Sequence, residues 1–276
     1  MTRSSRSPQC VNAPPRIRSS MSLSQTPIRL FAYPTSPFAQ KVGCYLKYKK
    51  LDFELVGVNP ISAAEIQFTG QRRVPVLMIG DEWRLESSEL GLWLEELFPE
   101  NPIMPADETA RAEVMAVDQW VSESLIPTIF RRAVEWENPI YSIQNGWKLA
   151  RAVHNASPLP WYARVIWPFA VRRAPFILRM VEELDLTESI AERITRMQRE
   201  FAEHLDDGPF FAGQSQPTLA DLSAYPIVVS SHLMGMKTMG ALIDDPVLAS
   251  WSRRVQSYLP ANPLLVPDKL LMRAHI

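Results

Sequence analysis

The sequence predicts an α/β N-terminal domain followed by an all-helical C-terminal domain. Three observations support this prediction. Short apolar runs rich in strand formers alternate with helical patterns only in the first hundred residues. Beyond that point apolar residues recur at helical spacing, with almost no strand signal. The 24 prolines and only 10 glycines suit long helices separated by proline-marked loops better than many tight turns.

The N-terminal domain, residues 27–99, begins with a strand and ends with a helix. The pattern predicts a strand, a helix, a strand, a short helix, two strands and a final helix. Their ranges are 28–33, 39–50, 53–58, 61–68, 74–80, 82–87 and 87–98. The dipeptide Gly80-Asp81 predicts a tight hairpin between the last two strands. A βαβ unit followed by a hairpin and a helix is the order of a thioredoxin-like domain.

A proline-rich, polar linker at 100–108 separates this domain from the helical domain at 109–276. Helices are predicted over 110–134, 189–205 and 217–234. The first of them should be interrupted near Pro127, because proline cannot donate a backbone hydrogen bond. Asp185 and Glu188 have the spacing of a capping box just ahead of the second helix.

Composition argues against several classes of function. A net charge of −1 and a pI near 6.5 favour neither nucleic-acid binding nor attraction of the whole chain to an anionic membrane. Cys10 and Cys44 form no CxxC pair, so a disulfide scaffold, a zinc ribbon and a dithiol redox motif are disfavoured, and no metal is expected. No apolar run is long enough to span a bilayer.

Residues 1–26 are rich in Arg and Ser and contain no acidic residue. We expect a disordered leader, or a start at Met21. An organelle-targeting segment is the alternative, because such segments share this composition.

Ser36 stands directly before Pro37 and a helical run. Ser is favoured at the N-cap and Pro at the first helical position, so the pair predicts the start of a helix. On the structural interpretation Ser36 is only a cap. On the functional interpretation, its hydroxyl and the positive end of the helix hold a small thiol as the thiolate.

Two further pairs allow similar alternatives. Val74-Pro75 opens a strand, where proline is ordinary, unless a cis bond turns the backbone of Val74 towards a ligand. Ser87 begins the last helix of the domain and can be a cap. Alternatively, Ser87 binds a carboxylate and Glu86 an ammonium, which together would hold an α-amino-acid head group.

The order and spacing of these segments resemble the cytosolic glutathione transferase superfamily. The likeness rests on the strand before Ser36-Pro37, on "VPVL" and on "ESSELGLWLEELFP", and it covers roughly residues 28 to 258. In "FFAGQSQPTLADLSAYP", Thr218 and Asp221 match a structural helix-capping box of that family. The fold implied is a thioredoxin-like domain followed by an all-α domain.

The resemblance also implies roles for individual residues. Ser36 would activate the thiol of glutathione, and Val74, before a cis Pro75, would pair with its cysteinyl backbone. Glu86 and Ser87 would hold the γ-glutamyl amine and carboxylate. The reaction implied is transfer of glutathione to a small hydrophobic electrophile, or reduction of a peroxide. A cytoplasmic homodimer with a role in detoxification, and no nucleic-acid partner, is the corresponding expectation.

The sequence departs from the family pattern at Gln40, where many relatives have Arg. Relatives that act by thiol exchange have Cys where Ser36 stands, and Cys44 is too far along the helix to replace it. Tyr33 is a second candidate for thiol activation, or a packing residue at a strand end. The region also resembles type-two prostaglandin E synthases, but Ser36 and Ala39 stand where that family has the two cysteines of Cys-Pro-Phe-Cys.

The stretch 137–180 lies outside the family pattern. It has four basic residues near Trp161, Trp167 and Phe176, and almost no acid. We expect an extended helical hairpin, with Trp and Phe packed inward, that roofs the electrophile pocket, because its prolines break any long amphipathic helix. The alternative is a membrane-surface or anionic-ligand segment. Correspondingly, the alternative to an enzyme is a catalytically silent binding or interaction protein on this fold, attached or not to a membrane surface.

Overall fold

The computed structural model describes residues 26–136, 138–237 and 242–273. The expected leader, up to residue 25, and Cys10 lie outside the described residues. Within the described part, an N-terminal domain with a four-stranded mixed sheet precedes a predominantly helical region, so the predicted fold class is confirmed.

The sheet has the strand order β2-β1-β3-β4. Its strands are β1 (Ile28–Ala32), β2 (Glu54–Gly57), β3 (Val76–Ile79) and β4 (Glu82–Arg84). β1 pairs parallel with β2 and antiparallel with β3, and β3 pairs antiparallel with β4. The β3–β4 hairpin turns at Gly80, whose φ of +60° is in the left-handed region that favours glycine. The predicted hairpin is therefore confirmed.

Helical elements pack on both faces of this sheet. They are α1 (Pro37–Tyr48), a 3₁₀ turn (Ala64–Thr69) and α2 (Ser87–Leu97). Because side chains alternate along a strand, Leu30 and Ala32 join the core with α1 and α2, whereas Phe31 joins the cluster with the 3₁₀ turn. α1 begins two residues before its predicted range, since Ser36 caps it and Pro37 takes its first position.

The helical region follows the linker. Its helices are α3 (Glu108–Trp120), α4 (Ile126–Glu135), α5 (Pro139–Ala156), α6 (Trp161–Val171), α7 (Pro175–Glu182), α8 (Ile190–Leu205), α9 (Leu219–Leu233) and α10 (Pro246–Gln256). A π-helical turn, Val121–Leu125, joins α3 to α4, and Pro127 lies in the first turn of α4. The missing N–H of Pro127 accounts for the interruption that the sequence predicts at this point.

The capping box of α8 differs from the predicted one. Asp185 and Glu188 have the required spacing, but the box is formed by Ser189 and Glu192. The Ser189 hydroxyl accepts from the N–H of Glu192 at 3.2 Å, and the Glu192 carboxylate accepts from the N–H of Ser189 at 2.9 Å. The prediction was wrong because spacing alone does not show which residue has the extended backbone of an N-cap.

The capping box of α9 lies where the sequence predicts it. Asp221 is fully buried and accepts hydrogen bonds from the N–H and hydroxyl of Thr218, both at 2.9 Å. It also accepts from the N–H of Phe211 at 3.2 Å and from the indole of Trp251 at 2.8 Å. Burial raises the pKa of Asp221, although these donors oppose the shift. The box is therefore a buried polar junction of the helical core.

The segment after Asn138 forms three helices, α5 to α7, instead of one hairpin. α5 and α6 pack closely, since a Cβ on Gly146 would lie 2.7 Å from Cβ of Pro168. The predicted inward packing holds for Trp167, which contacts the small cluster Val153, Leu159 and Ala163. It is wrong for Trp161 and Phe176, which are 74% and 51% exposed. The small residues of α6 occupy the contact with α5 and leave its large apolar residues outside.

The main apolar core continues from the sheet into the helical region. α1 packs directly on α9, where the hydroxyls of Tyr45 and Ser223 lie 2.5 Å apart. The two domains therefore share a buried interface along the length of α1. No helix in the described part of the chain is long and apolar enough to cross a membrane.

Candidate active site

The sheet brings the predicted site residues to one edge of the N-terminal domain. Phe31, near the end of β1, pairs with Val76 at the start of β3. Continuing this antiparallel register places Val74 and Pro75 beside the residues that follow β1. β4 runs antiparallel to β3 and therefore ends at the same edge, just before Glu86. The starts of α1 and α2 follow directly from this edge.

Ser36 caps α1 and keeps a hydroxyl that can donate. Its Oγ accepts a long hydrogen bond, 3.4 Å, from the N–H of Ala39, and its own N–H donates to the carbonyl of Tyr33 at 2.9 Å. Among the described residues the Ser36 O–H donates no hydrogen bond. The first turn of α1 has no acidic residue, so its positive end is not neutralised. Ser36 is thus a cap whose O–H is free to donate to an anion.

The Val74–Pro75 peptide bond is cis, as the resemblance implies. Tyr33, the second candidate for thiol activation, packs with Val74 against the cluster on the 3₁₀-turn face of the sheet. Burial raises the pKa of the Tyr33 hydroxyl, and the charge of Arg72 opposes this shift. The hydroxyl is therefore neutral at physiological pH, and its observed contacts are those of a packing residue.

Glu86 and Ser87 form the start of α2. Glu86 has a φ of +65°, which is unusual for a residue other than glycine and is typical of functional sites. Its exposed carboxylate lies 3.5 Å from the guanidinium of Arg73, a residue that the sequence reasoning missed. Ser87 is largely buried as a residue, and its hydroxyl makes no hydrogen bond within the described part of the chain. Together with the first N–H groups of α2, this hydroxyl can donate hydrogen bonds to a bound carboxylate.

A buried ion pair lies beneath the start of α2. Lys41 Nζ is 2.7 Å from Asp118 Oδ1 of α3, 3.0 Å from Ser122 Oγ and 3.5 Å from Ser88 Oγ. Asp118 also accepts hydrogen bonds from the hydroxyls of Ser88 and Ser223. Burial lowers the pKa of Lys41, and Asp118 only partly offsets the effect. Sequence reasoning missed this network, because a helical lysine is normally expected at the surface.

Gln40 has a structural role. Its Nε2 donates to the carbonyl of Pro34, and its Oε1 accepts from the N–H of Leu265 at 3.0 Å. Both polar ends of this buried side chain are occupied, so it fastens the C-terminal segment to the loop before α1. Cys44 is fully buried, and burial raises the pKa of its thiol far above the ordinary value, so it is a thiol of the core.

Three phenylalanines, Phe38, Phe130 and Phe176, form an aromatic wall that begins two residues after Ser36. Phe38, two residues after Ser36, meets Phe176 of α7 with ring centroids 6.4 Å apart. Phe176 meets Phe130 of α4 at 5.8 Å. The sequence placed a roof somewhere in 137–180 and did not identify the residue that reaches the site. In the described ranges, no cluster of His, Cys, Asp or Glu could hold a metal ion.

Comparisons with known proteins agree with this geometry. Residues 30–102 match the family model for the glutathione S-transferase N-terminal domain. Prostaglandin E synthase 2 of Mus musculus is 25% identical over 301 aligned positions, which cover 90% of this chain and 76% of that protein. The Danio rerio prostaglandin E synthase 2 is 38% identical over 63 residues, 23% of this chain and 17% of that protein.

The solved structures that resemble this chain include glutathione transferases. Human glutathione transferase theta-2, solved in complex with glutathione, superposes with a TM-score of 0.56 at 23% identity. The match covers 86% of this chain and 84% of that one. At this identity the likeness shows the fold.

Proposed function

We propose that this protein binds glutathione and transfers it to a small hydrophobic electrophile, because residues 30–102 match the family model for the glutathione S-transferase N-terminal domain. The observation that carries the proposal is the free Ser36 hydroxyl at the positive end of α1, on the same sheet edge as Val74, Glu86 and Ser87. A charged tripeptide fits this edge, since a helix start suits the thiolate and a second helix start suits the carboxylate.

In the proposed complex, each residue has a distinct task. The backbone of Val74 pairs with the cysteinyl residue, Glu86 accepts from the γ-glutamyl ammonium, and Ser87 donates to the adjacent carboxylate. The Ser36 O–H donates to the sulfur and, with the helix dipole, favours the thiolate, whose proton leaves to solvent. The sulfur then forms a bond to the electrophilic carbon while the leaving group departs with its electron pair.

The aromatic wall indicates the class of electrophile. Phe38, Phe130 and Phe176 present partly exposed ring faces next to the Ser36 end of α1. A flat, apolar acceptor can stack there, because aromatic pairs contribute about 0.5–1.5 kcal/mol beyond their burial. Phe176→Ala should therefore raise KM for aromatic electrophiles by about two- to tenfold and leave KM for glutathione unchanged.

The decisive test is Ser36→Ala, followed by calorimetry with glutathione and turnover with a panel of aromatic electrophiles. Loss of a donor to the developing anion should lower kcat by roughly a hundredfold, while glutathione affinity stays nearly unchanged. Ser189→Ala is the matched control, since it removes another N-cap serine, at the start of α8 and outside the N-terminal domain. Unchanged turnover in Ser36→Ala would remove Ser36 from this role, and absence of binding heat from folded protein would overturn the proposal.

A second candidate function is glutathione binding without catalysis. It is favoured by Gln40, which stands where many relatives have Arg and whose polar ends are both occupied by the backbone. Binding heat without turnover on any electrophile would support it. A homodimer, a cytoplasmic location and a role in detoxification remain proposals that rest on the resemblance.

Prostaglandin E synthesis is a further activity that the relatives' names suggest. We do not favour it, because Ser36 and Ala39 replace both thiols of the motif that the resemblance assigns to that family. Cys44 cannot substitute for either of them, since it is fully buried with a strongly raised pKa.

A further inference from the structure

A continuous apolar face covers one side of α6. Trp161, Tyr162, Val165, Ile166 and Phe169 are all exposed, and at 100° per residue they share one side of the helix. We call these five residues the α6 apolar face. A cluster of large exposed apolar side chains on a protein surface indicates a site of interaction.

The α6 apolar face is held outward by the packing on its other side. Ala163 is buried against Val153 and Leu159 of the neighbouring segment, and Pro168 lies against Gly146. The indole of Trp147 donates to the carbonyl of Val165 at 3.1 Å, which fixes α6 on α5. The helix therefore cannot turn its apolar face into the core without losing these contacts.

The segment that carries this face has charges of a single sign. The sequence from 138 to 181 contains six Lys or Arg residues and no Asp or Glu. Arg164, Arg173 and Arg179 are exposed, and within the described part of the chain they form no ion pair. Arg172 is held by the neighbouring helix, with its guanidinium 4.2 Å from the ring of Trp136. An apolar face with a basic border complements a surface that is apolar inside and anionic at its rim.

We propose that the α6 apolar face docks on an anionic lipid bilayer. Trp and Tyr prefer the boundary between head groups and acyl chains, and Arg attracts anionic lipids. With 11 residues, α6 is about 16 Å long, too short to span a bilayer, so it lies in the plane of the surface. A protein partner is less well matched, because protein interfaces do not require basic charge alone, whereas anionic lipids attract it.

The test is co-sedimentation of the full chain with vesicles of phosphatidylcholine alone or with phosphatidylserine. We expect binding to the mixed vesicles, weaker binding to pure phosphatidylcholine, and loss of about tenfold or more in Trp161→Ser/Ile166→Ser. Arg164→Glu/Arg173→Glu should lose the preference for phosphatidylserine. All variants retain residues 1–25, so a difference between them reports on α6 and not on the basic leader.

The matched control is Ile140→Ser, which removes an exposed apolar side chain of α5 outside the face. It should bind vesicles like the wild type, and thermal unfolding should show that every variant is folded. Equal sedimentation of wild type and Trp161→Ser/Ile166→Ser would overturn the proposal. The proposal would also be overturned if the wild type did not bind vesicles and the double variant differed from it in oligomeric state, since the face would then contact a second copy of the chain.

Discussion

Replacing Lys41 by methionine tests whether the buried ion pair holds the two domains together. Methionine keeps most of the side-chain length and removes the ammonium. That group is fully buried, 2.7 Å from the buried carboxylate of Asp118. Removing one partner of such a pair leaves the other charge uncompensated and costs about 3–5 kcal/mol. In chains of this size each kcal/mol lowers Tm by about 2–4 °C, so Lys41→Met should melt roughly 10 °C lower.

A double-mutant cycle separates the pair from its surroundings. Asp118→Asn removes the charge and keeps an acceptor for only one of the hydroxyls of Ser88 and Ser223, because these donate to different carboxylate oxygens. Desolvation lowers the pKa of Lys41 despite Asp118 beside it, so burial of the charges outweighs much of their attraction. The loss of unfolding free energy in the double variant should therefore be smaller than the sum of the two single losses, by about 2 kcal/mol or more.

The measurement is urea unfolding of the three variants and of Lys50→Met. Lys50 is an exposed lysine just after the same helix, so its replacement should change stability by less than about 0.5 kcal/mol. Additive losses in the cycle would show that Lys41 and Asp118 do not stabilise each other and would refute the reasoning. A loss in Lys41→Met no larger than in Lys50→Met would refute it as well.

Two further predictions concern helix caps. Asp221→Ala leaves four buried donors, including the indole of Trp251, without an acceptor, and should lower unfolding free energy by at least about 4 kcal/mol. Asp221→Asn should lose less, which urea unfolding can show; equal losses would mean that the donors find other partners. Hydrogen bonds from Ser189 lower the pKa of Glu192. The charged carboxylate therefore stabilises the fold at a pH above the ordinary carboxyl pKa, and this stabilisation is lost as the pH falls through the lowered pKa of the folded state. The stability difference between wild type and Glu192→Gln should therefore shrink from about pH 6 to about pH 3, and a constant difference would contradict this.

Local patterns sufficed for the architecture of the N-terminal domain. The apolar stripe of α2, the Gly80-Asp81 turn and the Ser36-Pro37 helix start each depend on neighbours within one or two turns of chain. The structure places all three where the sequence predicts them, apart from a shift of two residues at the start of α1. Residues close in sequence carry these features, so no knowledge of the tertiary fold is needed.

Features that depend on distant segments could not be predicted in this way. The partner of Lys41 lies on α3, and a lysine among helical residues gives no sign that it is buried. The outward position of Trp161 depends on the close approach of Pro168 to Gly146, which only the packing of α5 and α6 reveals. The aromatic wall likewise needs Phe176 from a segment far along the chain. The proposed glutathione contacts depend on motif resemblance and on the shared sheet edge.

Residues 36–41 link the proposed thiol site to the helical domain through less than two turns of one helix. Ser36 stands at the start of α1, Gln40 bonds the backbone of Leu265, and Lys41 pairs with Asp118. A shift of either distant segment relative to the sheet must therefore move the Ser36 hydroxyl. Gln40→Leu removes the hydrogen bonds to Pro34 and Leu265 and leaves the pair of Lys41 with Asp118 in place. It should raise KM for glutathione by about two- to tenfold, because each lost hydrogen bond costs about 0.5–1.5 kcal/mol. If urea unfolding shows that the variant is less stable but steady-state kinetics show no change in KM, α1 does not transmit the position of the helical domain to the site.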